Sequence, residues 1–192
     1  MNLRAVLPFA HDTLRNVVRP GDYVVDATCG NGHDTLLLAE LVGVNGYVLG
    51  FDIQQVAIDA TRTRLENAAV SSQVNLICAS HATIPEYATN PVRAAIFNLG
   101  YLPGGDKKIT TTADSTLLSI QHLMELLEVG GVIILVIYHG HPEGKQEKQA
   151  VVRFCETISQ QEFHVLSYQF INQQNDAPFV IVIEKRKPRQ SL

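Results

Sequence analysis

Four short stretches of this 192-residue sequence hold residue types able to do chemistry. The first is Asp26-Ala-Thr-Cys-Gly-Asn-Gly32, an acid followed by glycines that let the backbone approach a ligand closely. The second is Gly50-Phe-Asp-Ile53, where Asp52 follows Asp26 by 26 positions. Asp52 can accept hydrogen bonds from both hydroxyls of a ribose, so the pair indicates a nucleoside-bearing cofactor. The competing reading, which weighs less, is the N-cap of a following helix. The third is Asn98-Leu-Gly-Tyr101 with Pro103-Gly-Gly105 behind it. An amide oxygen there can take the hydrogens of an attacking amine and aim its lone pair, while a phenol ring can stack on a base or face a cation. A turn chosen for backbone shape would use the same residues. The fourth is Tyr138-His139-Gly-His141, two imidazoles able to remove a proton from an aminium ion near neutral pH. A structural turn accounts for them as well, and no third ligand at a suitable spacing supports zinc.

Other residues fill in around these. His33 and the pair Ser80-His81 follow strands at the same expected sheet edge, with His33 placed to shape the cofactor loop and Ser80-His81 where folds of the kind expected below usually contact the base of a nucleoside, an adenine. Lys107 and Lys108 are positioned to meet phosphates beside a target nucleotide, or simply to be solvated. His11, His122 and His164 lack such context and read as ordinary. The expected cofactor contacts are Asp26, Thr28, Gly30, Asn31, Gly32, Asp34 and Thr35 in the first loop and helix, then Asp52, Ile53 and Gln54, Ser80 and His81, and Asn98 and Leu99. A nicotinamide cofactor is disfavoured: Thr35 stands where its G-x-G-x-x-G fingerprint needs the third glycine.

These residues need a scaffold that brings strand ends together. Val- and Ile-rich segments at 23–29, 47–53, 74–79, 93–98 and 132–138 read as buried strands. Helical patterns at 34–42, 54–69, 84–88 and 113–127 lie between them, which implies βαβ crossovers and a largely parallel sheet. A helix at 143–159 then precedes strands at 163–171 and 179–185. The connection between those strands is too short for a crossover helix, so they should pair antiparallel. The expected fold is therefore α/β, Class I Rossmann-like, with a seven-stranded mostly parallel sheet ending in an antiparallel hairpin. One domain is expected over 1–192, with no interdomain linker.

Hydrophobic residues at 46% against 18% charged exclude a disordered chain. No apolar run is long enough to cross a bilayer, and Met-Asn-Leu-Arg does not open a signal peptide, so a cytoplasmic, membrane-free protein is expected. Cys29, Cys78 and Cys155 are odd in number and lack metal spacing, so neither disulfides nor a metal are expected. A net charge of −4 argues against broad adhesion to nucleic acid. Arg4, Arg15, Arg19 and the basic residues at 185–189 form either a local basic face or scattered solubilising charges.

The Asn98-Leu-Gly-Tyr101 stretch resembles the Asn/Asp-Pro-Pro-Tyr motif of methyltransferases acting on amino groups, without its two prolines. The first loop resembles the methyltransferase glycine loop, with Thr28 in place of the first glycine. Longer strings are more specific: residues 26–35, 97–104 and 137–141, together with Phe170-Ile-Asn-Gln-Gln-Asn175, resemble a bacterial family long labelled rRNA methylase. That family is now associated with tRNA wobble-uridine modification, and the resemblance covers nearly the whole chain. It implies S-adenosylmethionine as cofactor and methylation of the amine of 5-aminomethyl-2-thiouridine in a tRNA anticodon stem-loop, with rRNA or a small amine as the alternative substrate. It places Asn31, Asp52 and Asn98 around the cofactor and Tyr101, His139 and His141 near the acceptor. Members of the family are expected to form homodimers.

Overall fold

The computed structural model describes residues 2–100, 111–140 and 142–187. Its strands are β1 (Tyr23–Asp26), β2 (Tyr47–Asp52), β3 (Val74–Cys78), β4 (Val92–Leu99), β5 (Leu127–Ile137), β6 (Phe163–Tyr168) and β7 (Phe179–Lys185). They form one sheet in the order β3-β2-β1-β4-β5-β7-β6. The first five run parallel, while β7 pairs antiparallel with both β5 and β6. This is the expected Class I arrangement with its terminal hairpin.

Helices α2 (His33–Val42), α3 (Gln55–Asn67), α4 (Ile84–Tyr87), α5 (Ala113–Leu126) and α6 (Pro142–Thr157) fall where the periodicity puts them. One element was not expected from sequence, α1 (Val6–Val17). It has no side-chain N-cap, and Pro8 sits in its first turn, where a missing N–H costs nothing. Val6, Ala10 and Leu14 form its buried stripe at i, i+4, i+8.

Alternation along the strands divides the core. Ala94, Ile96, Val132, Ile134 and Val136 face the cluster shared with α1 and α2. Ala95, Phe97, Leu99, Ile133, Leu135 and Ile137 face Ile120, Leu123 and Val151 of α5 and α6. On the first face, α1 is held down at its outer edge by Phe9, whose ring stacks on Tyr168 of β6 with centroids 4.0 Å apart. The Tyr168 hydroxyl donates to the Arg4 carbonyl at 2.7 Å. Among the described residues no helix is long and apolar enough to cross a membrane.

Candidate active site

After β1 the chain winds outward through β2 and β3, then returns to place β4 on the other side of β1. The C-terminal ends of β1 and β4 thus flank a topological switch point, where open α/β sheets bind ligands. Asp26 closes β1, fully buried, and accepts hydrogen bonds from the Thr28 N–H at 3.1 Å and the Thr35 hydroxyl at 2.6 Å. Burial, reinforced by the nearby Asp34 charge, pushes its carboxyl up to about 7. Gly30 and Gly32 hold φ of 54° and 78°, in the left-handed region. A Cβ at Gly32 would lie 2.8 Å from the Thr61 Cα, so the close approach of this turn to α3 also demands glycine.

Asp52 joins the two loops. One oxygen accepts the Gly30 N–H and the other the Gln54 N–H, both at 2.9 Å. Gln54, not Asp52, occupies the N-cap of α3, so the acid braces the glycine loop and shapes the turn after β2. Ile53, just past the end of β2, is 49% exposed. Asn31 is exposed, and its carbonyl accepts from the Arg64 guanidinium at 2.7 Å; the same guanidinium lies 3.2 Å from the His33 ring.

The end of β4 is fastened to this loop by Thr28. Its hydroxyl oxygen accepts the Asn98 backbone N–H at 2.7 Å, which gives a physical role to the residue that replaces the usual glycine. The Asn98 side chain donates through Nδ2 to one Asp34 oxygen at 2.6 Å. The other Asp34 oxygen lies 2.6 Å from His11 Nε2. Tyr138 joins this group: burial and the Asp34 charge both raise its phenol pKa. The β4–β5 register pairs Asn98 with Val136, which puts Tyr138 on the same sheet face as Asn98 and Asp34.

His139 lies on the opposite face. Its ring meets Phe179 edge-on, Nε2 is 3.1 Å from the Ala177 carbonyl, and the Lys148 ammonium is 3.5 Å away. Burial, then Lys148, lowers its pKa. The structure thus does not bring His139 to Asn98.

His81 is also turned to that face. Its Nε2 meets the hydroxyls of Ser115 at 3.1 Å and Thr116 at 3.3 Å, and burial drives its pKa down to about 4, against a smaller opposing effect of its hydrogen bond to the Ala27 backbone. Thr116 in turn donates to the buried Glu147 of α6 at 2.7 Å, and Glu147 also accepts from Thr111. The Thr111 hydroxyl oxygen accepts the Gly100 N–H at 3.1 Å, so the segment leaving β4 is anchored through α6. Ser80 caps the short turn before α4 by accepting the Ala82 N–H. Leu99 is buried in the core with its side chain among apolar neighbours.

Tyr101, Lys107, Lys108 and His141 lie outside the described residues. Several basic residues at the two ends of the sequence cap carbonyls: Arg19 at the end of α1, Lys185 at Met124 and Glu125, Arg186 at Gln160. Among the described residues no group of three or more His, Cys, Asp or Glu side chains could hold a metal.

Sequence reasoning missed His11, Tyr138 and Glu147. Strand parity carried a usable signal for Tyr138, since residues two apart share a face. For His11 no local signal exists, because its partner is 23 positions away.

The architecture is widely shared among methyltransferases, but the relatives of this chain are more specific. Residues 48–184 match the family model described as "Putative rRNA methylase". A structure from Clostridium thermocellum, titled a putative rRNA-methylase, superposes with a TM-score of 0.94 at 44% identity, over 96% of this chain and 100% of that one. A Streptococcus mutans protein described as "a putative methyltransferase", in complex with SAH, superposes with a TM-score of 0.88 at 40% identity, over 95% and 99%. The Arabidopsis thaliana protein named tRNA (mnm(5)s(2)U34)-methyltransferase, chloroplastic, is 38% identical over 190 residues, 93% of this chain and 68% of that protein. With the glycine loop, the braced Asp52 and the Asn98 cluster on one sheet edge, these likenesses agree, and the chain belongs to the methyltransferase family that carries the rRNA methylase description.

Proposed function

We propose that this chain methylates the amine of 5-aminomethyl-2-thiouridine at the wobble position of tRNA, giving the 5-methylaminomethyl form. The broader activity is that of an S-adenosylmethionine-dependent methyltransferase.

The residues at the switch point fit that cofactor. Each Asp52 oxygen receives one backbone N–H and keeps lone-pair capacity for the ribose hydroxyls. The exposed Ile53 offers an apolar face for a purine, and the left-handed glycines let the loop backbone turn tightly beside the Asp52 carboxylate. Asp26, Thr28, Asn31 and Thr35 would shape the cavity, with Ser80 at the adenine end.

The observation that carries the amine assignment is the orientation of Asn98. Asp34 is a carboxylate that only accepts, so it must face the Asn98 NH2 group. Asn98 Oδ1 is thereby left as the acceptor at the end of β4. An acceptor oxygen suits a nucleophile that carries hydrogens on the attacking atom: it holds those hydrogens and leaves the lone pair free to attack. When bound, the cofactor supplies a methyl made electrophilic by a sulfonium; as the N–C bond forms the C–S bond breaks and its pair stays on sulfur. Asn98 then contributes alignment. The aminium nitrogen must then release a proton. Tyr101, His141, Lys107 and Lys108 belong to the segments that would meet the nucleotide. The name of the Arabidopsis relative supports the wobble uridine as the site, and the rRNA description supports the second reading.

The test is direct. Purified protein with S-adenosylmethionine is offered tRNA from a strain lacking the gene, and the nucleosides are read by mass spectrometry. Conversion of 5-aminomethyl-2-thiouridine to its methylated form is the expected result. Methylation of deproteinised rRNA or of a metabolite amine, with tRNA untouched, would overturn it.

A further inference from the structure

Helix α1 enters the candidate site without a part in the function proposed above. It brings His11, on the side of the helix next to its buried Ala10, against Asp34 of α2. The His11 side chain is 21% exposed and that of Asp34 8%, so the contact is largely shielded from water. Both Asp34 oxygens are engaged at 2.6 Å, one by His11 and one by Asn98, and an ionised carboxylate can only accept. His11 must therefore present Nε2–H.

We infer that His11 is a positioning residue for methyl transfer: by occupying one oxygen of Asp34 it holds that carboxylate as a fixed acceptor, and this keeps the Asn98 amide turned with Oδ1 toward the acceptor amine. The inference rests on the role of Asn98 proposed above. Its physical basis is the cost of an unmatched buried acceptor. Without His11, one Asp34 oxygen sits buried with no donor, close to the fully buried Asp26. The carboxylate relieves this by rotating toward solvent, which withdraws the partner of Asn98 Nδ2. The amine then meets an unfixed amide where it needs an acceptor. Nothing in this arrangement requires His11 to touch the cofactor or the nucleotide.

Two substitutions separate this role from others. His11→Ala removes the donor, whereas His11→Gln restores an N–H near the Nε2 position without an imidazole. With tRNA as substrate, His11→Ala is expected to lower kcat by about tenfold or more. KM for tRNA and Kd for S-adenosylmethionine should change less than about threefold, within the small effect of a lost indirect contact. His11→Gln should recover most of the lost kcat. A Kd that weakens in step with kcat, or no recovery with Gln, overturns the inference.

A second readout needs no substrate. In 15N-labelled protein, the Asn98 side-chain NH2 protons should exchange slowly with water in wild type and His11→Gln, and at least tenfold faster in His11→Ala, the scale of one lost hydrogen bond. Unchanged exchange in His11→Ala overturns the inference even if the enzyme's substrate proves to be something other than tRNA. Failure to methylate tRNA, with the exchange result as expected, would instead sink the substrate assignment alone.

Discussion

Two histidines sit at the same sheet edge in opposite circumstances. His81, between the sheet and α5, is buried among hydroxyls and held neutral, with its pKa brought down to about 4 by burial. His11, on the other face, is partly exposed and bound to a carboxylate that also holds Asn98. In the first arrangement His81, Ser115 and Thr116 engage one another and, through Thr116, the buried Glu147, which locks α5 to the strand ends and to α6. The second is open at one end, since among the described residues nothing donates to Asn98 Oδ1. Satisfied polar clusters stabilise a fold; a cluster with one group left over is equipped to bind something.

Substitutions can break this contrast. The largest effect is expected from Asn98→Ala, which removes the open end itself. Turnover should fall by about 100-fold or more, because misaligned reactants lose effective molarity. Calorimetry should show S-adenosylmethionine binding within a few-fold of wild type. If binding and turnover fall together, Asn98 chiefly builds the cofactor cavity and the two clusters are more alike than described.

Next comes His81→Leu, which deprives Ser115 and Thr116 of a partner. It should cost about 1–3 kcal/mol of unfolding free energy in a urea titration, with kcat within a few-fold of wild type. A large kcat loss with normal stability would move His81 into the reactive group. Thr28→Val should have a smaller effect, about 1 kcal/mol for one hydrogen bond to the Asn98 N–H, and Thr28→Ser should restore it.

The pH dependence of stability sharpens the same contrast. His81 has a folded pKa below its ordinary value, so the unfolded chain binds more protons between about 4 and 6.5, and its stabilising contribution is lost as pH falls through that window. Asp26 has a folded pKa raised to about 7, so the folded chain binds more protons between about 4 and 7, and stability is lost as pH rises there. The two slopes oppose each other. Asp26→Asn should therefore uncover an acid-side loss of stability that the wild type masks, readable as Tm against pH. A flat profile in that variant would mean His81 is not held neutral.

Much of this architecture could be read before any coordinates. Runs such as Val132-Ile-Ile-Leu-Val136 are buried on both faces, so hydrophobicity alone marks them as central strands, and the hairpin followed from a connection too short to cross. Asp26, Asp52 and Asn98 were legible because each ends a strand, where parallel sheets gather their chemistry. The placement of His139 was not: adjacent strand residues point to opposite faces, and only the pairing of Asn98 with Val136 shows that Tyr138 shares the face of Asn98. His11 reads as ordinary in sequence because Phe9-Ala-His-Asp12 contains no local cue. Its meaning lies in contacts made across 23 and 64 positions of chain, through Asp34 to Asn98.

The stacking of Phe9 on Tyr168 has a consequence for synthesis. Helix α1 is made long before β6 and β7, yet the ring that clamps it and the hydroxyl that ties down Arg4 are on β6, 164 positions later for that hydrogen bond. Such distant contacts are slow to form and cannot form until the hairpin has left the ribosome. A nascent chain can thus build its glycine loop early while His11 remains unclamped, and full alignment arrives only with the last strands.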